Sequence, residues 1–234
     1  MKQKKIIGIM GGMGPEATRD LFSNIIAATP ANCDQDHLRI FIDNNPQVPD
    51  RTANIVGQGP DPVPAMTQSA RALARAGAEF IIIPCVSAHF FLDRLREQSP
   101  LPILSVFDAV AKEIKRHEGT EVVGLLATSG TIQGGAFAKV LEGFGIRVLA
   151  PDRERQEMVM DAIYKIKSDP IGRHRDECRG KLLSVAESLI DRKAGGIIAG
   201  CTEIPLVLGP ADLSVPLFDP LLILARSAVE HALA

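Results

Sequence analysis

The chain has 234 residues, 46% apolar and 23% charged, with a formal net charge of −2, which is enough for one large domain or two half-size ones with ample cores. That charge makes no electrostatic case for nucleic acid, and the absence of Trp beside a single Tyr leaves no base-stacking surface. No apolar run reaches the roughly 20 residues that cross a bilayer, so neither a nucleic-acid nor a membrane partner is expected.

Lys2, Lys4 and Lys5 run on into glycines rather than into an apolar signal core. A strand is expected over 5–10, then the loop Gly11-Gly12-Met13-Gly14-Pro15-Glu16-Ala17-Thr18 and a helix to Ala28, Pro15 suiting its first position. Leu38 to Ile42 reads as a second strand, and Asp43 to Thr52 as a polar loop containing Arg51. A helix over Ala65 to Ala76 is capped by Gly77. Ile81-Ile82-Ile83 is then apolar throughout, as a parallel strand covered on both faces must be, and it breaks at Pro84-Cys85-Val86-Ser87-Ala88-His89. Residues 89–97 read as a helix, 102–107 as a strand and 108–117 as a helix.

The order then repeats. A strand is expected over 121–126, a loop over 127–134, a helix over 135–143 and a strand over 146–149. A helix over Glu154 to Lys167 leads to a polar turn or lid at 168–178, then to a helix at 179–193. The strand 196–199 breaks at Gly200-Cys201-Thr202-Glu203, and a strand at 215–218 and a helix at 220–233 close the chain. Gly8 and Gly124 stand 116 positions apart, as do Cys85 and Cys201, while Pro102 and Pro216 are 114 apart. Matches at one offset mark two copies of one α/β half. The fold class is therefore α/β, two pseudo-symmetric halves, each a parallel sheet flanked by helices. The halves are expected at 1–117 with Cys85 and 118–234 with Cys201, the last helix packing back on the first half.

Both cysteines stand where a strand ends, the usual place for chemistry in an open α/β sheet. Each precedes a helix or turn, whose N-terminus would lower the thiol pKa and make the thiolate base or nucleophile. A lone buried cysteine is usually an inert small hydrophobe; two at equivalent repeat positions favour function. Cys33 and Cys178 have no such partners and are read as bystanders. The four cysteines make no C-x-x-C or metal-finger spacing, so no metal site is expected, and they suit reduced thiols in the cytoplasm. His89, four residues after Cys85, is either its base or, on a helix starting at Ser87, a residue that holds that helix or supports the site from behind. Gly12 to Ala17 fits G-x-G-x-x-A, yet Pro15 removes one N–H that a pyrophosphate would use, and no lysine follows. The loop and its counterpart at Thr128 to Thr131 suit a small carboxylate better than a nucleotide, a plain tight turn being the remaining reading. Arg51 can grip a carboxylate in bidentate fashion, and Lys167 or Lys165 either reaches substrate or is a solvated surface charge.

Five motifs in order resemble the cofactor-independent aspartate/glutamate racemase family across essentially the whole chain. They are Gly11-Gly12-Met13-Gly14-Pro15, Asn45-Pro46 through Asp50-Arg51-Thr52, Pro84-Cys85 to Ala88-His89, Ala127-Thr128 to Thr131, and Gly200-Cys201-Thr202-Glu203. The resemblance implies a homodimer, a small amino acid or dicarboxylate substrate, no cofactor, and Cys85 and Cys201 as catalytic thiols on opposite sides of the substrate α-carbon. It also implies that Met13, Arg51, Val86, Ser87, Thr128, Thr131, Lys167 and Thr202 bind substrate. The family's first motif usually reads Cys-Asn-Thr; here it is Cys85-Val86-Ser87, which keeps a hydroxyl and loses an amide. The competing functions are a cysteine-dependent decarboxylase or isomerase of another small carboxylate, and a non-catalytic small-anion binding protein.

Overall fold

Strands that are apolar on both faces need cover on both, and here they have it. The computed structural model describes residues 4–169 and 172–234. It divides into two units, one comprising the chain up to Ala109 with Leu221–Ala234, the other Val110–Pro220. The expected seam was 117/118.

In the first unit, β1 (Ile7–Gly11) lies between β2 (Ile40–Asn44) and β3 (Phe80–Ile82), all parallel. Ile7, Ile9, Met10, Phe80, Ile81 and Ile82 are fully buried. The helices are α1 (Pro15–Ala28), the short α2 (Arg51–Ile55), α3 (Val63–Ala76) and α4 (Leu92–Gln98). The helix α5 (Val106–Lys115) carries the chain across the division. In the second unit the parallel order is β5 (Arg147–Leu149), β4 (Val122–Leu126), β6 (Ile197–Ala199), β7 (Leu217–Phe218). Its helices are α6 (Ser129–Gly134), α7 (Ala136–Gly143), α8 (Arg153–Ser168) and α9 (Arg175–Asp191). The last helix, α10 (Pro220–Leu233), returns to the first unit, where Lys5 donates its N–H to Ala232 O at 2.9 Å and His231 meets Phe80 edge-on. Among the described residues no helix is long and apolar enough to cross a membrane.

The repeat holds bond by bond. Ile81 N–H donates to Pro102 O at 2.8 Å, and Ile197 N–H, 116 positions on, donates to Pro216 O at 2.9 Å. Ala78 N–H reaches back to Leu73 O at 3.1 Å, and Ala194 N–H to Leu189 O at the same distance. Those bonds end α3 and α9 alike, each in a left-handed residue: Gly77 at φ 99° and Lys193 at φ 73°. The paired strand glycines have a packing reason. A Cβ on Gly8 would stand 3.0 Å from Ala78 Cβ and 3.3 Å from Leu73, and one on Gly124 would stand 3.0 Å from Leu189 Cβ. Their absence lets the two equivalent helices lie close on the central strands.

Four expectations need correction. The strand expected at 102–107 is only a bridge from Ile103 to Ile81, because the Ser105 hydroxyl accepts Asp108 N–H at 3.1 Å and starts α5 early. Arg51 is not in a loop but opens α2, which Asp50 caps by accepting Ala53 N–H at 2.7 Å. The loop expected at 127–134 contains α6, capped by Thr128. The turn expected at 168–178 is cut short by α9, which begins at Arg175; its positions 170 and 171 lie outside the described residues.

Candidate active site

In a parallel sheet every strand ends at the same edge, so in the first unit that edge collects the glycine loop after β1, the Arg51 segment after β2 and Cys85 after β3. Cys85 is 7% exposed, and its Sγ lies 3.4 Å from Ser87 Oγ. Val86 is buried beside it. His89 is fully buried, with Nδ1 at 2.9 Å from Cys85 O, and this pairing with a carbonyl makes Nδ1 the N–H donor. Burial lowers the His89 pKa to about 4, against the opposing pull of the Cys85 carbonyl. Its Nε2 has no hydrogen-bond partner, the Leu104 backbone standing outside bonding geometry. His89 thus braces the backbone of the Cys85 loop as a neutral ring, with neither ring nitrogen hydrogen-bonded to the Cys85 sulfur.

Arg51 is tied to backbone. Its Nη1 donates to Val48 O at 3.0 Å and to Pro49 O at 2.9 Å, and its Nη2 to Met13 O at 3.4 Å. Nε is buried without a partner, and among the described residues no carboxylate pairs with this guanidinium. Met13 contributes that carbonyl; its side chain is in the core with Val48, Met66 and Cys85. One donor expected of the glycine loop is already used, since Gly12 N–H goes to Thr18 Oγ1 at 2.9 Å. Thr18 in turn donates to Gly14 O at 3.1 Å, so this hydroxyl stitches the loop to α1.

In the second unit the edge carries Thr128 after β4 and Cys201 after β6. Cys201 is 8% exposed, and its thiol donates to Glu203 Oε2 at 2.8 Å. Thr202 Oγ1 donates to the same oxygen at 3.2 Å, and Lys167 Nζ stands 3.8 Å from Glu203 Oε1. Burial first, then the Glu203 charge, pushes the Cys201 thiol well above its ordinary value, with Lys167 opposing. This reverses the expected lowering: only the three-residue turn Ile204–Leu206 follows, too short to offset burial and an adjacent anion. The two lysines are placed differently. Lys165 binds Glu177 at 2.6 Å and Asp161 at 3.2 Å in a surface network with Lys181, whereas Lys167 faces Glu203.

Thr128 Oγ1 accepts Thr131 N–H at 3.2 Å and lies 3.1 Å from Thr131 Oγ1, so both hydroxyls help to start α6. Gln156 from α8 braces this loop, donating to Ala127 O at 3.0 Å and Ser129 Oγ at 3.2 Å. Cys33 is exposed, and Cys178 is buried with its thiol aimed at Ala162 O. Sequence reasoning quoted Glu203 without giving it a part. Its signal was the repeat, since Glu203 stands 116 positions after Ser87, and both touch the cysteine two residues before them.

The sequence profile of the family described as Asp/Glu/Hydantoin racemase matches residues 10–228. A broad specificity amino-acid racemase of Bacillus subtilis is 28% identical over 98% of this chain and 99% of its own. The structure of the aspartate racemase of Picrophilus torridus matches with a TM-score of 0.85 at 27% identity, over 97% of this chain and 94% of that one. An aspartate racemase homologue of Pyrococcus horikoshii matches over 100% of both chains with a TM-score of 0.79 at 27% identity.

Proposed function

The chain belongs to the Asp/Glu/Hydantoin racemase family, and on that premise we propose that it inverts the α-carbon of a small amino acid by passing protons between two thiols, Cys85 and Cys201. It is accordingly an isomerase. Inversion needs a base on one face of Cα and an acid on the other, and a thiolate and a thiol exchange those parts without cofactor chemistry. Cα–H acidity depends on donors that hold the carboxylate as the carbanion forms. Arg51 with Met13, and Thr128, Thr131 and Thr202, are the groups assigned to hold substrate, with Val86 and Ser87 beside Cys85 and Lys167 beside Cys201. The observation that carries this reading is the repeat: two cysteines at equivalent strand ends, each with its sulfur against the side chain two residues on. A homodimer in the cytoplasm is part of the same proposal.

Aspartate and glutamate are the first substrates to test, since a guanidinium without a carboxylate partner suits an acidic ligand. A second reading, amino acids with uncharged side chains, is favoured by Val86, which is buried and apolar beside Cys85, and by Glu203, which already faces Lys167. One experiment serves both. Single enantiomers of aspartate, glutamate, alanine and lysine are incubated with the purified protein in deuterated water, without added cofactor. Inverted product carrying deuterium at Cα is the expected result. No Cα exchange on any of them would overturn the racemase reading.

A further inference from the structure

We propose that Glu203 is a positioning residue that keeps the proton on Cys201, so that the resting protein holds a transferable proton there. This rests on the two-thiol reading above. A carboxylate can only accept, so the 2.8 Å contact to Glu203 Oε2 is a bond that exists while Cys201 is S–H and is lost when it becomes S⁻. Ionising the sulfur would also set two anions side by side in a buried place. The carboxylate is held by Thr202 Oγ1 and Lys167 Nζ, so it cannot swing away without leaving them. Glu203 from the sulfur's own loop and Lys167 from α8 are the charged groups whose fields act on it, with opposite signs. The equivalent position in the first half is Ser87, whose neutral hydroxyl, 3.4 Å from Cys85 Sγ, can turn to donate to a thiolate.

In one turnover the Cys85 thiolate takes the Cα proton and becomes S–H, leaving the C–H electron pair on Cα. That pair takes the proton of Cys201 from the opposite face, and Cys201 becomes S⁻. No charge is gained or lost, but the new thiolate now faces Glu203, so this form is the less stable of the two. The proton must return from Cys85 to Cys201, through solvent, before a second turnover in the same direction. Two enantiomers have equal free energy, so kcat/KM is equal in both directions and the asymmetry can appear only in kcat and KM separately.

The test reads the thiols directly and needs no turnover. Thiolate ultraviolet absorbance is followed against pH in the full chain and in C201S, and the difference gives the midpoint of Cys201. The same pair of titrations is made with E203Q and with K167M. E203Q is expected to lower the Cys201 midpoint by about one pH unit or more, and K167M to raise it. The difference against C85S should leave the Cys85 midpoint in place. If E203Q folds poorly by circular dichroism, E203S copies the first half's residue at that position and carries the same expectation. A Cys201 midpoint that stays put or rises in the folded variant overturns the proposal, whether or not the protein racemises anything. The expected shifts together with no Cα exchange would leave Glu203 its hold on the thiol and remove the racemase reading alone.

Discussion

In the first cysteine loop the sulfur meets a neutral hydroxyl, and the loop's carbonyl is held by a buried imidazole. In the second the sulfur meets a carboxylate, and the Cys201 carbonyl is held by the backbone N–H of Ile204 at 3.1 Å. The place equivalent to His89 is Pro205, which can neither titrate nor donate. The two halves therefore agree in backbone, down to matched bonds at strand edges and helix ends, and differ in the groups that set protonation. Duplication supplies two thiols in equivalent positions. Divergence of the side chains beside them is what can make one an acid and the other a base.

The largest effect that could break this comparison is on turnover. On the proposed two-thiol reading, Cys85→Ala and Cys201→Ala should each reduce inversion by about 10³-fold, because each would remove the sole acid or base on one face of Cα. Chiral chromatography of single-enantiomer reactions measures it. A variant that keeps wild-type inversion would mean that only one loop is functional.

Next in size is an asymmetry between the two cysteine loops in stability against pH, carried by His89, which has no titrating counterpart at Pro205. Its folded pKa is depressed from 6.5 to about 4, so as pH falls through 6.5 the unfolded chain takes up a proton that the folded one refuses. Stability present above pH 6.5 should thus decline on the way down to pH 4 and level off below, by about 3 kcal/mol from this residue. His89→Asn keeps an N–H donor for the Cys85 carbonyl and cannot titrate, so its urea midpoints at pH 7 and pH 4.5 should lie closer together than those of the wild type. Equal pH dependence in both would show that His89 is not the buried neutral group described above.

The smallest effect sharpens the comparison at the matched helix ends. Gly77 and Lys193 share a left-handed backbone, which a side chain makes less favourable by about 1 kcal/mol. Lys193→Gly should stabilise the protein by about that amount, and Gly77→Ala should destabilise it similarly, as read from thermal or urea unfolding. Like signs from the two changes would mean that the two ends are not equivalent.

The apolar runs of the main strands, the longer helices and the repeat were legible in the residues because burial on both faces demands unbroken apolar strands, and a duplicated half repeats that demand at a fixed spacing. Helix starts were misjudged at α2, α5, α6 and α9, and for the first three the caps Asp50, Ser105 and Thr128 stood in plain view. Each is a polar residue in an otherwise unremarkable stretch, and a cap weighs about 1 kcal/mol, which local pattern alone does not rank against a competing strand or loop.

The sequence by itself determined where the two thiols would stand, since the ends of the apolar strands β3 and β6 locate them. Only the tertiary structure decided what each thiol would be. Whether Glu203 reaches back to the sulfur depends on the turn after β6, and Lys167 reaches Glu203 from 36 positions away only because α8 brings it there. Arg51 likewise reads as a free cation in the chain, yet it folds onto the carbonyls of Val48, Pro49 and Met13. Proton affinity is set by dehydration and by charges within a few ångströms, and those neighbours are assembled by folding, not by adjacency in the chain.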